Sequence, residues 1–437
     1  MKLWASQSIA QLEATIVDFT IALVVASAVI NHLYQFGESS TALVFALQFI
    51  PALPAALIAG FVSDIVDRRL LLIGLNVFRS VFLLIFVFAA TPGTQLYFFV
   101  FITAICMHIY DVVEKATLRN VTSEKELSVA TGLFLFTLNA TTLFGVLIAG
   151  ILYKPPFGLP AVLLSGSILY ILAAVIAYKL PRNINRLVDG QYVENQNIVV
   201  DTAKAFSRLF TNIKDTLRYS LTVTPVWLSV ILTTIVQTVT LMIASVSFKY
   251  GKDVLNIPPE QVSIFLLLTV SAGLAIGGTL TPFLVKKFSY KGVIMFSWFV
   301  ASLMLIVFGS IGFIDSNLRP GWSFDFILFQ ILIFTIGMFV TLIQSPALEL
   351  IQRFADPQIR GRVFGILVGA SNSVAGLLVA SSSIIVDILG SQKFMIFVAF
   401  VLLFSMFIYG FIYKKFMGKR DYTDFNMVYT PSTEKIL

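Results

Sequence analysis

Cysteine and histidine are almost missing from this chain of 437 residues. The single cysteine, Cys106, excludes an intramolecular disulfide, and with two histidines we expect no cluster of transition-metal ligands. The chain also lacks the Gly-x-x-x-x-Gly-Lys-Ser/Thr motif of nucleotide-binding loops and the His-Glu-x-x-His motif of zinc proteases. We therefore predict no cofactor, no metal and no enzymatic activity.

Charge is the second scarce property. Charged residues make up 12% of the chain and hydrophobic residues 58%, with a mean hydropathy of +0.91. A soluble domain carries roughly a quarter of its residues as charged side chains, so water is not the main solvent of this protein. The formal net charge is +7, but the basic residues lie mostly in short loops between apolar segments. Such loops orient a membrane protein, and we predict no binding of nucleic acid.

Long apolar runs are what the sequence has in abundance. A bilayer core about 30 Å thick is crossed by roughly 20 apolar residues in helical form. The runs are too long and too continuously apolar for barrel strands, in which apolar and polar side chains alternate. The sequence predicts an all-α membrane protein of twelve transmembrane helices in two six-helix halves, near residues 8–31, 41–63, 70–90, 96–117, 127–152, 159–179, 222–248, 260–284, 292–314, 325–350, 362–387 and 393–413.

One long polar interval divides these predicted helices into two sets of six. We predict an N-terminal half over residues 1–180, a cytoplasmic linker over 181–220, a C-terminal half over 221–415 and a cytoplasmic tail over 416–437. Apolar residues recur at helical spacing between Ala203 and Leu217, with charged residues on another face. This pattern predicts an amphipathic helix on the membrane surface within the linker.

The basic residues predict the orientation in the membrane, because positively charged short loops stay in the cytoplasm. One set of alternate loops, together with the linker and the tail, holds most of them. The other set holds only Lys154, Lys249, Lys252, Arg319 and Lys393. We therefore predict that both termini face the cytoplasm.

Two ionisable residues lie near the middle of predicted helices, Asp18 in the first and Arg79 in the third. An unpaired charge at this depth costs from about 2.5 to more than 10 kcal/mol, so each requires a partner, water or a function. They are close enough in depth to pair, and making and breaking that pair would load and release a proton. A permanent structural ion pair is the alternative. Glu13 lies on another face of the first helix and is a further candidate.

The fourth predicted helix carries His108, Asp111, Glu114 and Lys115. His108, Asp111 and Lys115 share one face, and Glu114 points elsewhere. Asp111 is a candidate for proton relay or for a salt bridge with Lys115 at the inner end of the helix. For His108 a satisfied hydrogen bond is the simpler interpretation, and titration is the alternative.

Polar groups that could line a substrate cavity are few. The candidates are Gln48, Asn139, Gln237, Gln344 and Asn372. The predicted helices of the second half contain fewer charged residues than those of the first half. Phenylalanine occurs 41 times, which suits a lipophilic substrate but is also ordinary lipid-facing filler.

The loop after the second predicted helix reads Gly60-Phe-Val-Ser-Asp64-Ile-Val-Asp67-Arg68-Arg69. It resembles the signature loop of the major facilitator superfamily, Gly-x-x-x-Asp-(Arg)-x-Gly-Arg-(Arg/Lys), with Ile65 and Asp67 as departures. Asp18, Arg79, Tyr110 with Asp111, and the segment Gly361 to Gly365 extend the resemblance to the branch of drug exporters that includes macrolide-efflux proteins.

This resemblance implies a conformational latch made of Gly60, Asp64, Arg68, Arg69, Gly361 and Arg362. In the superfamily the signature Asp lies near the N-terminal end of the eleventh helix, where the helix dipole attracts an anion. The alternative is a solvated turn that only obeys the rule of positive inner loops.

The function that the resemblance implies is secondary active transport by alternating access, in the form of proton-coupled export of lipophilic or amphipathic compounds. A lipid or lysophospholipid flippase of the same superfamily is the alternative. The expected partners are a small lipophilic substrate, protons and membrane lipids, with a monomer in the cell membrane as the working unit.

Overall fold

The computed structural model describes residues 2–30, 40–89, 94–121, 124–153, 158–182, 187–188, 191–192, 218, 223–314, 324–354 and 360–417. The N-terminal half contains α1 Lys2–Ile30, α2 Ser40–Phe49, α3 Ala52–Ile65, α4 Arg68–Ala89, α5 Thr94–Val121, α6 Glu124–Leu152 and α7 Gly158–Tyr178. The C-terminal half contains α8 Thr224–Leu255, α9 Pro259–Val262, α10 Leu268–Phe288, α11 Tyr290–Ile314, α12 Phe324–Phe354, α13 Arg360–Leu389 and α14 Ser391–Met417. A π-helical segment, Ser263–Leu267, joins α9 to α10.

The predicted all-α membrane fold is confirmed. Within the described residues, eleven helices are long and apolar enough to cross a membrane. The fifth predicted helix corresponds to α6, whose described apolar part is Ala140–Leu152. A small hairpin between the halves pairs β1 Leu187–Val188 with β2 Gln191–Tyr192. The predicted amphipathic helix of the linker and the tail beyond Met417 lie outside the described residues.

The second predicted helix, 41–63, is not continuous. It is broken into α2 and α3 at Ile50 and Pro51. Proline has no backbone N–H, so Pro51 and Pro54 remove two hydrogen bonds of a continuous helix. Pro282 and Pro346, by contrast, lie inside α10 and α12 without ending them. The sequence-based prediction therefore placed the helix correctly and missed its break.

Two hydrophobic clusters form the cores of the two halves. One consists of N-terminal residues, with Leu72, Phe99 and Leu163 fully buried. The other fills the C-terminal half around Trp298, and it also takes in N-terminal residues Ala22, Leu23, Ala26, Phe45 and Val146. Since these five join a cluster with residues of α8, α9 and the π-helical segment, apolar packing is continuous across the two halves at this end of the bundle.

We call this end the Asn256 end, because α8 stops there at Asn256, which has a left-handed backbone with φ of 51°. The opposite end, where α3 gives way to α4, is the Arg69 end.

The contact surface between the halves, here called the seam, is formed by α2 and α3 against α13, and by α6 against α10 and the π-helical segment. Gly376 allows the closest approach in the first pair, since a Cβ there would lie 2.8 Å from the Ile50 nitrogen. Nearer the Arg69 end, a Cβ on Gly369 would meet Ala52, Leu53 and Ala56 at 3.5 Å. Small residues therefore bring these helices together, as membrane helices require for close packing.

Candidate functional site

Arg79 of α4 is buried, with 3% of its surface exposed. Its guanidinium lies between two aromatic rings, 5.1 Å from the centroid of Tyr110 and 5.3 Å from that of Tyr170. The ring faces carry negative potential and stabilise a cation at these distances. The charge of Arg79 also acts on Asp18 of α1, which is partly buried. The described ion pairs within 4.0 Å do not include Asp18 with Arg79, so the predicted direct pair is not formed in this structure.

Glu13 of α1 is fully buried and packs directly on Gly166 of α7, where any Cβ would overlap its carboxylate. Among the described residues, neither carboxylate oxygen of Glu13 has a hydrogen-bond partner. Asp18, five residues further along α1, lies within electrostatic range. Glu13 and Asp18 thus belong to one electrostatic group although they lie on different faces of the helix.

The ionisable residues of α5 lie in different environments, some partly exposed and one buried. Asp111 and Lys115 form a salt bridge of 3.8 Å with partly exposed side chains. His108 donates from Nε2–H to the backbone oxygen of Gln48 at 2.8 Å, as expected of a hydrogen-bonding residue. Glu114 is 2% exposed and lies within electrostatic range of this pair, and its Oε1 has no hydrogen-bond partner among the described residues.

The signature loop is described only in part. Gly60 and Asp64 lie in α3, and Gly361 and Arg362 lie in the first turn of α13, but their side chains are outside the described set. Arg68 and Arg69 are visible at the start of α4. Arg68 donates from Nη1 to the Ala116 oxygen of α5 at 3.2 Å. Arg69 donates to the Tyr178 oxygen, and its Cζ lies 4.6 Å from the ring centre of Tyr178. The two arginines therefore tie α4 to the ends of α5 and α7.

Two of the three polar candidates of the C-terminal half, Gln237 and Gln344, are paired with each other. Gln344 of α12 donates to Gln237 of α8 at 3.1 Å. Thr234 of α8 donates to Ser371 of α13 at 3.0 Å, beside the partly buried Asn372. In the N-terminal half, Gln48 is 9% exposed and its Nε2 has no partner among the described residues. The side chain of Asn139 is outside the described set.

Sequence reasoning did not find the two tyrosines that hold Arg79, nor the buried polar groups around them. Tyr110 was singled out only for its resemblance, and Tyr170 gave no signal against an apolar background. Asn76 is fully buried one turn before Arg79, and Ser80 bonds to Ser167 at 2.7 Å. A polar run of Asn76, Arg79 and Ser80 in an otherwise apolar helix was the available signal for this buried cluster.

A family model for the Major Facilitator Superfamily matches residues 8–380. The chain belongs to this superfamily. It is therefore a multi-pass membrane transporter and not an enzyme, as predicted. A search of curated proteins found no match.

Three solved transporters show the same fold along nearly their whole length. A bacterial homologue of the human lysosomal transporter Spinster, inward-facing and occupied, has a TM-score of 0.70 at 14% identity, over 98% of this chain and 98% of that chain. The POT family transporter PepTSo has a TM-score of 0.68 at 14% identity, over 96% and 99%. The nucleoside transporter NupG has a TM-score of 0.62 at 15% identity, over 95% and 100%. At these identities the likeness shows the major facilitator fold alone, and the drug-exporter branch stays a prediction.

Proposed function

We propose that this chain exports lipophilic or amphipathic small molecules by alternating access, with protons as the coupling ion. The observation that carries the proposal is the arrangement of Asp18 and Arg79. The guanidinium is held by two tyrosine rings, and Asp18 lies within its field without a direct ion pair. Because Asp18 forms no ion pair with Arg79 among the described contacts, we propose that its carboxyl group binds and releases the coupled proton.

The balance of charge in the N-terminal half supports the same proposal. Three carboxyl groups, those of Glu13, Asp18 and Glu114, are buried or partly buried in the described part of this half, and the charge of Arg79 acts on Asp18 and Glu114. Arg69, the other buried cation among the residues that the structure describes, contacts Tyr178 at the end of the bundle.

The C-terminal half supplies uncharged groups. Gln237, Gln344 and Asn372 offer amide donors and acceptors, and no buried charged residue is found among the described residues of this half. We propose that these amides, together with Gln48 and Asn139, orient a substrate whose bulk is apolar. A few polar anchors in an apolar lining suit such a substrate.

We place the protein in the cell membrane as a monomer, with both termini in the cytoplasm. The excess of basic residues in one set of loops supports this orientation. The Asn256 end would then be external, and it is the end where apolar packing crosses the seam. The signature residues Gly60, Asp64, Arg68, Arg69, Gly361 and Arg362 would form the latch on the cytoplasmic side.

The test of coupling is Asp18→Asn in proteoliposomes. We expect this variant to lose substrate accumulation driven by a pH gradient and to retain at least part of downhill exchange, because the amide cannot carry a proton. Asp325→Asn, an exposed acid at the start of α12, is the matched control and should transport normally. Full coupling in Asp18→Asn would remove this residue from the mechanism.

The substrate class is tested by comparing compounds that raise the unfolding temperature of the protein in detergent. Lipophilic drugs and a fluorescent lysophospholipid form the two arms of the comparison, followed by transport of any compound that stabilises. Stabilisation and transport of drugs alone would support export. Transport of the lysophospholipid alone would favour the lipid-flippase alternative.

A further inference from the structure

The break between α2 and α3 leaves backbone groups without their helical partners. In a continuous helix the oxygen of Ile50 accepts from the nitrogen four residues later, which here belongs to Pro54 and carries no hydrogen. Ile50 itself still donates to the Ala46 oxygen at 2.8 Å, and the first regular bond of α3 runs from Ala55 to Pro51 at 2.9 Å. The Ile50 oxygen and the Leu53 nitrogen fall between these two bonds.

One side chain from the other half satisfies both groups. Ser373 of α13 donates its hydroxyl hydrogen to the Ile50 oxygen at 2.8 Å. The same hydroxyl oxygen accepts from the Leu53 nitrogen at 2.9 Å. A hydroxyl can donate one hydrogen bond and accept others, so Ser373 provides a partner for the Ile50 oxygen and for the Leu53 N–H at the same time.

The backbone groups at the break accept hydrogen bonds from, or donate them to, side chains from both halves of the protein. His108 of the N-terminal half contacts the Gln48 oxygen at 2.8 Å, and this bond moves with α2 because both residues belong to that half. Ser373 reaches across the seam, one turn from Gly376, where the backbones of α2 and α13 approach most closely. If the halves part at this point, the His108 bond can remain, whereas the two Ser373 bonds must break.

We infer that Ser373 is a releasable support, which completes the broken second helix in this conformer and is withdrawn when the halves separate there. The inference rests on the alternating access of the proposed function and adds a residue that sets the balance between its conformers. Backbone groups inside a membrane protein need a partner from a neighbouring helix or from water. In the separated conformer, water entering the passage must take over from the serine hydroxyl.

The experiment measures the ratio of conformers by distances between spin labels across the seam. In a background with Cys106 replaced by alanine, one pair of labels is placed at Ile151 and Lys252 near the Asn256 end. A second pair is placed at Lys179 and Lys286 near the Arg69 end. All four positions are exposed. Ser373→Ala should lower the population with the short 151–252 distance, changing the ratio of conformers about five- to tenfold.

Two controls separate the hydroxyl from general effects of substitution. Ser381→Ala lies on the same helix, where the exposed hydroxyl bonds only to the Leu378 oxygen of its own helix at 2.6 Å, and should leave the ratio unchanged. Pro54→Ala restores an N–H that can donate to Ile50. In that background the effect of Ser373→Ala should fall to about two- to threefold, because the Ile50 oxygen then has an internal donor and only the Leu53 N–H loses its partner.

An unchanged ratio in Ser373→Ala, or an equal shift with and without Pro54, would overturn the inference while leaving alternating access intact. A single distance at both label pairs in every variant and at every substrate concentration would overturn alternating access and this inference together. Hydrogen exchange of the Leu53 amide gives an independent measurement in protein without labels. It should accelerate in Ser373→Ala and not in Ser381→Ala.

Discussion

At the scale of single residues, the burial of Arg79 has an electrostatic explanation. A cation at this depth is costly unless the surroundings compensate for lost water. Two tyrosine faces at 5.1 and 5.3 Å provide part of that compensation, each contributing about 0.5–2 kcal/mol. The planar guanidinium can stack between two rings, which the ammonium of lysine cannot do as well.

The ring of Tyr170 should therefore contribute more to the stability of the folded protein than its hydroxyl does. We expect Tyr170→Phe to unfold close to the wild-type temperature in detergent, since it keeps the ring over Arg79. Tyr170→Leu should be less stable by about 1–3 kcal/mol through lost packing and lost cation–π contact. The comparison between the two variants is the control, because both remove the hydroxyl. Equal unfolding temperatures would show that Arg79 does not depend on this ring.

At the scale of helices, close packing at the seam requires glycine, whose lack of a side chain lets two helix backbones approach each other. A Cβ on Gly376 would lie 2.8 Å from the Ile50 nitrogen and 3.1 Å from the Ala46 oxygen, so α13 can approach α2 only with glycine here. The same device operates inside the C-terminal half, where a Cβ on Gly273 would overlap the Phe334 backbone of α12. These two contacts differ in consequence, because only the first one joins the two halves.

Gly376→Val should force α13 away from α2. Overpacking of this kind typically costs about 1–3 kcal/mol, and here it acts only on conformers in which the halves touch. We expect spin labels across the Asn256 end to shift toward longer distances. Gly365→Val on the same helix is the matched control, because no atom of the described residues lies within 4 Å of a Cβ at that position. A shift of the same size in both variants would mean that valine perturbs α13 itself.

At the scale of the whole molecule, the two halves have different chemistry on the same architecture. Among the described residues, buried carboxyl and guanidinium groups lie in the N-terminal half, whereas the C-terminal half has buried hydroxyls and the partly buried amides of Gln237, Gln344 and Asn372. This asymmetry suits a transporter in which one half handles protons and the other contributes hydrogen bonds to a substrate. In such a transporter, contacts at the seam determine which end of the passage between the halves is closed.

The balance between the two ends should respond to Asp64. If its carboxylate interacts with the N-terminal end of α13, Asp64→Ala removes about 0.3–1 kcal/mol from the conformer closed at the Arg69 end. We expect a two- to fivefold shift toward conformers open to the cytoplasm, measured by the reaction of a single introduced cysteine with an impermeant reagent from each side. Asp325→Ala, an acid in the first turn of α12, should cause no shift. An unchanged accessibility in Asp64→Ala would make the signature loop an ordinary solvated turn.

Much of the architecture follows from the sequence because the bilayer imposes it. Apolar runs of about 20 residues must become helices when backbone groups have no water to bind. The salt bridge of Asp111 with Lys115 also follows from helical spacing, since both residues belong to one helix. The break at Ile50 was visible as Pro51 and Pro54, but proline inside α10 and α12 ends neither helix. Local sequence does not distinguish these cases, because a neighbouring helix can supply the missing bonds.

By itself, then, the sequence determined the membrane environment, the approximate place of the apolar helices and which residues are ionisable at depth. Only the tertiary structure decided the partners: tyrosine rings for Arg79, Gly166 for Glu13, and Ser373 for the broken second helix. Periodicity describes how residues are arranged around one helix axis. It carries no information on how each helix is rotated against its neighbours, and that rotation is set by packing across the whole bundle.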